Sequence, residues 1–165
     1  LSAFATADPL DAITLNESRR AELTEQLDRF RQAGREVHVL DPRYADLDLK
    51  ITICVNPDAY IDQVREMVLE ALFGKKGILE SPGFFSPDNF TFGTPLERPA
   101  LEAAIQSVPG VRAVMGMEIH RRGWYDWKNF ADLSEPVGQN EVIRIANDPL
   151  HPERGSLELN MEGGA

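Results

Sequence analysis

Cysteine, long apolar runs and basic residues are all scarce in this 165-residue chain. The single cysteine, Cys54, cannot form an internal disulfide or complete a cysteine-rich metal site. The longest apolar runs span about five residues, whereas a membrane-spanning helix needs about 20. The chain begins at Leu1, with no leader pattern. We therefore expect a fragment or processed product that is soluble and comes from a reducing compartment.

Charge limits the partners that the chain can bind. Seventeen Lys and Arg residues oppose 27 Asp and Glu residues, which gives a formal net charge of −10. Such a chain repels nucleic acids and anionic bilayers unless it carries a local basic patch. Only short basic pairs occur, at Arg19-Arg20, Lys75-Lys76 and Arg121-Arg122. The sequence therefore predicts neither a nucleic-acid partner nor a membrane partner.

The common sequence motifs for cofactor binding and catalysis are absent as well. The sequence has no GxGxxG, no GxxxxGK[ST] and no HExxH pattern. The serines lack the Gly-x-Ser-x-Gly frame of a nucleophile elbow. The sequence predicts no cofactor.

Two patterns are clear enough to predict regular elements. Apolar residues alternate strictly with polar ones over 47–55, which is typical of a strand with one buried face. Asn56-Pro57-Asp58 then predicts the start of a helix, capped by Asn56 or Asp58 and ended by Gly74. Other segments show weaker versions of the same patterns. They predict helices over 16–34 and 99–107, and strands over 35–40, 90–92, 111–119, 142–146 and 157–161.

This element order is typical of an α+β fold. We expect two helices, 59–73 and 97–108, packed on one face of a mixed or antiparallel sheet, with a ferredoxin-like sandwich as the nearest common arrangement. The last two strands are expected to form a hairpin-like pair. Residues 1–34 are expected to form a lead-in and an amphipathic helix, of which 1–15 are irregular, and 35–165 the α+β domain.

Candidate catalytic and metal-binding residues are scattered. The three histidines show no metal-ligand spacing, and Cys54 lies mid-strand, which favours a structural thiol. His120 shares a strand face with Glu118, so a hydrolase using both remains a third hypothesis. We predict no catalytic and no metal-binding residue, and expect the acidic candidates to be solvated. The other candidates considered are His38, His151, the pairs Asp46/Asp48 and Asp126/Asp132, and a calcium loop with Asp148 and Glu153.

Aromatic residues stand out in segments that otherwise have the composition of loops. They could pack down as a small extension of the core, or anchor a protein–protein interface, where Trp, Tyr and Phe are enriched. The residues proposed for such an interface are Phe84, Phe85, Trp124, Tyr125 and Trp127.

Three stretches together resemble the C-terminal part of the J-like baseplate assembly proteins of contractile-tailed phages and phage-derived injection particles. They are AGREVHVLDPRYADLDLKITICV, FTFGTPLERPALEAAIQSVPGVRAV and VGQNEVIRIANDPLHPERGSLELNMEGG. The resemblance covers roughly residues 25–164. Its most specific part is the ending, at Glu141, Asn147-Asp148-Pro149, Pro152, Gly155 and Gly163-Gly164.

The resemblance implies a non-enzymatic structural subunit that contacts other baseplate and tail subunits, or copies of itself. It would assemble in the bacterial cytoplasm and reside in a phage tail or a tail-like particle, encoded by a prophage. A different hypothesis is a small-molecule-binding regulatory domain of the ferredoxin-like type. A Gly-rich turn after the strand 47–55 would favour that hypothesis. The sequence has Asn56-Pro57-Asp58 there instead.

Overall fold

The computed structural model describes residues 16–32, 34–75 and 81–165. The irregular lead-in expected over 1–15 lies outside these ranges. The chain divides into two compact units, Leu1–Arg43 and Tyr44–Ala165. The predicted boundary after residue 34 stays a prediction.

The described residues of the first unit form one helix, α1 (Glu17–Asp28). Asn16 caps it by accepting a 2.8 Å hydrogen bond from the Arg19 backbone N–H, as its N-cap pattern predicts. The helix is shorter than predicted, and none of its residues is buried. The helical spacing of Leu23, Leu27 and Phe30 predicts one apolar stripe, but Leu27 and Phe30 are exposed.

The strand predicted over 35–40 is wrong, since 35–42 contain no strand. In the described part of this unit no neighbouring strand is present to form a ladder with it. The Val39 carbonyl instead accepts a 2.9 Å hydrogen bond from the Arg20 guanidinium, which also pairs with Asp41 at 2.7 Å.

The second unit is built on β1 (Arg43–Val55), which extends the predicted strand by four residues at its start. β3 (Val111–Arg121) pairs antiparallel along one side of β1. Two strands share the other side: β6 (Glu141–Arg144), and β7 (Leu157–Gly163), which runs parallel to Leu49–Val55. The expected hairpin is therefore wrong, because both of its strands pair with β1.

Three short strands complete the sheets. β4 (Lys128–Asn129) extends the main sheet by pairing with Glu118 and Ile119 of β3. β2 (Leu96–Glu97) and β5 (Ser134–Glu135) form a separate two-stranded sheet.

Two helices, α2 (Ile61–Phe73) and α3 (Arg98–Gln106), cover the apolar face of β1. The alternating residues of β1 lie at most 1 % exposed in this core, because the period of two puts them all on one side of the strand. The α+β class is thus confirmed. The ferredoxin-like detail is not confirmed: among the described residues between α2 and α3, the one strand is the two-residue β2, which is not in the main sheet. The core residues contributed by β1, α2 and α3 are Leu47, Leu49, Ile51, Ile53, Val55, Val64, Val68, Leu72, Leu101 and Ile105.

A bulge in β3 overturns one predicted side-chain orientation. The alternation over 111–119 predicts that Met115 lies on the same face as Met117, but Met115 is 64 % exposed, and Val114 packs against the core instead. Thr52 pairs with Gly116 and Ile53 with Val114, so Met115 has no partner on β1. One extra residue in a strand shifts the alternation by one, which exchanges the two faces.

Two local expectations around the helices are also wrong. The strand expected at 90–92 is absent: a short 3₁₀ turn at Pro87–Asn89 precedes Phe90, which is buried. α2 begins at Ile61 with Tyr60 at its N-cap and no side-chain cap, because Asn56 starts a turn in which its carbonyl accepts from the Ala59 N–H. The predicted end at Gly74 is confirmed, with φ 78°.

Gly155 closes the loop between β6 and β7 at a point that has no room for a side chain. Its φ is +88° and ψ is 148°, a conformation available essentially to glycine alone. A Cβ placed there would lie 2.5 Å from the Leu47 carbonyl oxygen and 2.8 Å from that of Arg144. The backbone of this loop therefore packs directly against β1 and β6.

We predict that Gly155→Ala lowers the free energy of unfolding by about 3 kcal/mol or more, because backbone strain and a backbone clash add together. Gly123→Ala is the matched control: its φ is +90°, but nothing lies within 4 Å of the added Cβ. We expect that variant to lose about 1 kcal/mol. Urea unfolding of both variants measures the difference, and equal losses would contradict the close packing at Gly155.

Candidate functional site

A buried carboxylate lies on the polar face of β1, where solvated acids were expected. Asp48 is 5 % exposed. Its Oδ1 accepts hydrogen bonds from Ser156 Oγ at 2.7 Å and from Arg122 Nε and Nη2 at 3.2 and 3.1 Å. Its Oδ2 lies 3.1 Å from His120 Nδ1. The solvated interpretation of Asp48 is therefore wrong, because groups on both flanking strands cover it.

The sheet pairing explains how these groups meet. Asp48 lies directly opposite His120 in the β1–β3 register, and Arg122 follows the last residue of β3. Ser156 immediately precedes β7, and its carbonyl accepts from the Leu49 N–H at 2.9 Å. The Asp48 cluster, defined as Asp48, His120, Arg122 and Ser156, thus joins residues that are far apart in the sequence.

Asp48 is ionised at neutral pH. Burial raises the pKa of its carboxyl, but hydrogen bonds from Ser156, His120 and Arg122, with the positive charge of Arg122, lower the pKa by more. The net result is a pKa below the ordinary value of 3.8. The carboxylate therefore acts as a fixed acceptor at neutral pH, which suits anchoring better than proton transfer.

His120 connects this carboxylate to the segment that follows β3. Its Nε2 lies 2.9 Å from the Trp124 carbonyl oxygen, while its Nδ1 faces Asp48. Both partners are acceptors, so the two hydrogen bonds form together only when the imidazole carries both protons. The structure pairs His120 with Asp48 and the Trp124 backbone, whereas Glu118, its partner in the hydrolase hypothesis, lies opposite Lys50 and is exposed.

Three of the proposed interface residues lie on the segment that His120 holds. The Trp127 ring stacks on the His120 ring at a centroid distance of 5.3 Å, and Lys50 Nζ lies 4.4 Å from the Trp127 ring centroid. Trp127 is 39 % exposed, Trp124 58 %, and Tyr125 fully exposed. We call Trp124, Tyr125 and Trp127 the aromatic patch.

The other two proposed interface residues lie elsewhere. Phe84 and Phe85 form a ring cluster with Phe73 and Phe90, with centroid distances of 5.1 to 6.0 Å. Their backbone N–H groups donate to the Ala71 and Leu72 carbonyls at the end of α2. Both are partly buried against the core, as in the packing alternative considered from the sequence.

The remaining sequence candidates do not converge on a site. His38, at an exposed position, lies 3.3 Å from Glu36, and the half-buried His151 lies 3.1 Å from Glu153. The Asp46 carboxylate binds the Arg144 guanidinium through two hydrogen bonds, of 2.6 and 3.1 Å. Asp48 is only two residues away from Asp46 in the sequence, but the two carboxylates bind different cations, Arg122 and Arg144. Within residues 16–32, 34–75 and 81–165, no group of three or more His, Cys, Asp or Glu is placed to hold a metal ion.

Several residues at the ending that carries the family resemblance build the loop between β6 and β7. Asn147 takes φ 47°, and its Oδ1 accepts from the Leu157 N–H at 3.1 Å. Asp148 Oδ1 accepts from the Leu150 N–H at 2.9 Å, an Asx-type turn and not a calcium ligand set. Glu141 accepts from the Gly138 N–H and from Arg121, at 2.8 and 2.7 Å. This pattern therefore specifies local structure.

No protein-family model matches the chain, and no curated protein is similar to it. Among the helices that the structure describes, none is long and apolar enough to cross a membrane.

We predict that Asp48→Asn lowers the free energy of unfolding at neutral pH by roughly 2 kcal/mol, because Arg122 loses its charged acceptor. A carboxyl with a lowered folded pKa stabilises the fold above its unfolded pKa, and that stabilisation is lost as the pH falls through the folded pKa. The difference between wild type and variant should therefore shrink as the pH falls below 3.8.

Urea unfolding across this pH range measures the effect. Asp126→Asn, at an exposed carboxylate, is the control and should change stability by less than about 0.5 kcal/mol. A constant difference between Asp48→Asn and wild type at every pH would contradict the assignment of Asp48 as an ionised anchor.

Proposed function

We propose that this chain is a non-enzymatic assembly module that binds a partner protein through its aromatic patch. The observation that carries the proposal is an exposed aromatic segment anchored to the sheet through His120 and the buried Asp48 carboxylate. Tyr125 is fully exposed, while the carbonyl of the preceding residue, Trp124, is bonded to His120. Exposed Trp and Tyr side chains are enriched among the residues that dominate binding energy in protein interfaces.

Anchoring matters because binding costs conformational entropy. A loop that must become ordered on binding loses part of its interaction energy to that ordering. Here the segment is held from several sides: Arg122 N–H donates to the Asp46 carbonyl at 3.0 Å, and Phe130, fully buried, donates its N–H to the Met117 carbonyl at 2.9 Å. The aromatic patch lies between these two attachments. Its backbone is therefore already held in place, and binding a partner would require little further ordering of the segment.

The resemblance stated from the sequence supplies the setting of the proposal. A J-like baseplate subunit would bind other baseplate or tail subunits, or copies of itself, during assembly in the bacterial cytoplasm. It would then remain in a phage tail or a tail-like particle encoded by a prophage. The structural roles of Asn147, Glu141 and Gly155 support this interpretation, because the residues that carry the resemblance maintain the fold that displays the aromatic patch.

The experiment replaces Trp124 and Tyr125 with Ala together in bacteria that produce the tail-like particle containing this chain. We predict that intact particles, counted by electron microscopy, fall at least about tenfold, as expected when two interface anchors are removed. Trp127 is kept, because its ring packs on His120 and contributes to the fold.

The matched control replaces Leu133 and Leu150 with Ala. Both are highly exposed and lie outside the aromatic patch, at 75 % and 84 %. We expect normal particle numbers from this control, and unchanged thermal midpoints for both purified double variants. Normal particle numbers from the Trp124/Tyr125 variant would reject the proposed function.

A further inference from the structure

The outer side of β7 is an edge of the main sheet in the described part of the chain. β7 pairs in parallel with Leu49–Val55 of β1, and the register runs without a shift from Leu157 to Gly163. No described strand pairs with the other side of β7. A strand at an edge presents main-chain donors and acceptors that another extended segment can bind.

The parallel ladder determines which main-chain groups of β7 point outward. The Leu49 N–H donates to the Ser156 carbonyl at 2.9 Å. In an unbroken parallel ladder every second residue of β7 then bonds to β1. Those residues are Glu158, Asn160 and Glu162. The N–H and C=O groups of Leu159 and Met161 therefore point away from β1, and they have no hydrogen-bond partner among the described residues. We call these four groups the open edge.

The side chains of β7 continue the two faces of β1. Leu157, Leu159 and Met161 lie half-buried on the core side, because the strand alternates with a period of two. The residues on the polar face are exposed: Glu158, Asn160 and Glu162. The strand contains no proline, lysine or bulge of the kind that prevents pairing at an edge. A strand bound to the open edge would therefore cover the apolar row with its own alternate side chains.

Carboxylates outnumber cations on the polar face of β7. The Glu158 side chain is 60 % exposed, and Lys50, 3.8 Å away, also lies opposite Glu118 in the β1–β3 register. Glu162 is exposed, lies opposite Cys54, and forms no ion pair with a described residue. A second copy paired through its own β7 would bring two more carboxylates to this face. Self-pairing is therefore disfavoured, because like charges on paired strands are destabilising.

We infer that the open edge of β7 binds an extended segment of a partner protein, in which apolar side chains alternate with lysine or arginine. Main-chain groups of that segment would bond to Leu159 and Met161. Its apolar side chains would extend the core row, and its cations would reach Glu158 and Glu162. The aromatic patch follows β3, on the other side of β1, so this inference does not depend on the proposed function.

Hydrogen exchange of the purified chain, resolved by residue with NMR, tests the open edge itself. The amides of Leu159 and Met161 should exchange at least about tenfold faster than those of Asn160 and Glu162, because the latter two donate to β1. Equal protection of all four amides would show that the edge is already covered, and would overturn the inference. Protection of Leu159 and Met161 that rises with protein concentration would also overturn it, because a second copy would then be the occupant.

The chemistry of the occupant is tested with a capped peptide of alternating Lys and Val, as long as β7. It should protect the Leu159 and Met161 amides in a saturable manner. Two control peptides have the same length: alternating Glu and Val carries the wrong charge, and alternating Lys and Gly lacks the apolar row. We expect each control to bind at least about tenfold more weakly. Absence of protection by the Lys/Val peptide, or equal protection by either control, would overturn the inference.

A charge reversal beside the open edge supplies a matched pair of variants. Glu162→Lys, at an exposed position, should weaken binding of the Lys/Val peptide about fivefold at low ionic strength. Asp126→Lys makes the same change of charge at an exposed position after β3, and should bind like wild type. Equal affinities of the two variants would contradict the inference.

The inference and the proposed function fail separately. The double variant with Ala at Trp124 and Tyr125 should bind the Lys/Val peptide like wild type, because neither residue lies on β7. Its particle count tests the aromatic patch, whereas amide protection at Leu159 and Met161 tests the open edge.

Discussion

The buried carboxylate of Asp48 is the interaction on which the polar side of this molecule depends. It accepts hydrogen bonds from groups on or next to both flanking strands, β3 and β7, and so ties three strands together on the side away from the helices. Removing a charge from water is costly, and the cost is met only when several donors surround the charge. Three donor side chains do so here. The same cluster positions His120, which holds the backbone at Trp124.

The two faces of β1 thus have different tasks. One face packs Leu47 to Val55 against α2 and α3 and supplies the hydrophobic stabilisation of the second unit. On the other face, ion pairs take the place of apolar packing: Asp46 pairs with Arg144, and Asp48 pairs with Arg122. Pairing of this kind fixes geometry more than it adds net stability. The binding surface that we propose for the aromatic patch would need that fixed geometry.

Local patterns in the sequence predicted what is local in the structure. The strict alternation of 47–55 identified the core face, and the helix predicted over 59–73 covers that face as α2. The site depends instead on cross-strand register, which a single sequence does not encode in its periodicity. Asp48 and His120 are 72 positions apart, and Asp48 and Ser156 are 108 apart. The bulge at Met115 and the parallel course of β7 were missed for the same reason, since both are defined by a partner strand.

The bulges of β3 also shape the edge of the main sheet. Only Glu118 and Ile119 of this strand pair with β4, and the register with β1 shifts twice in the other half, at Arg112 and at Met115. Sheet edges with an even ladder invite strands from other molecules, and irregular spacing of the hydrogen-bonding groups prevents such pairing from extending. The two bulges of β3 therefore leave an uneven row of backbone N–H and C=O groups along this edge, a geometry that disfavours continuous pairing with a strand of another molecule.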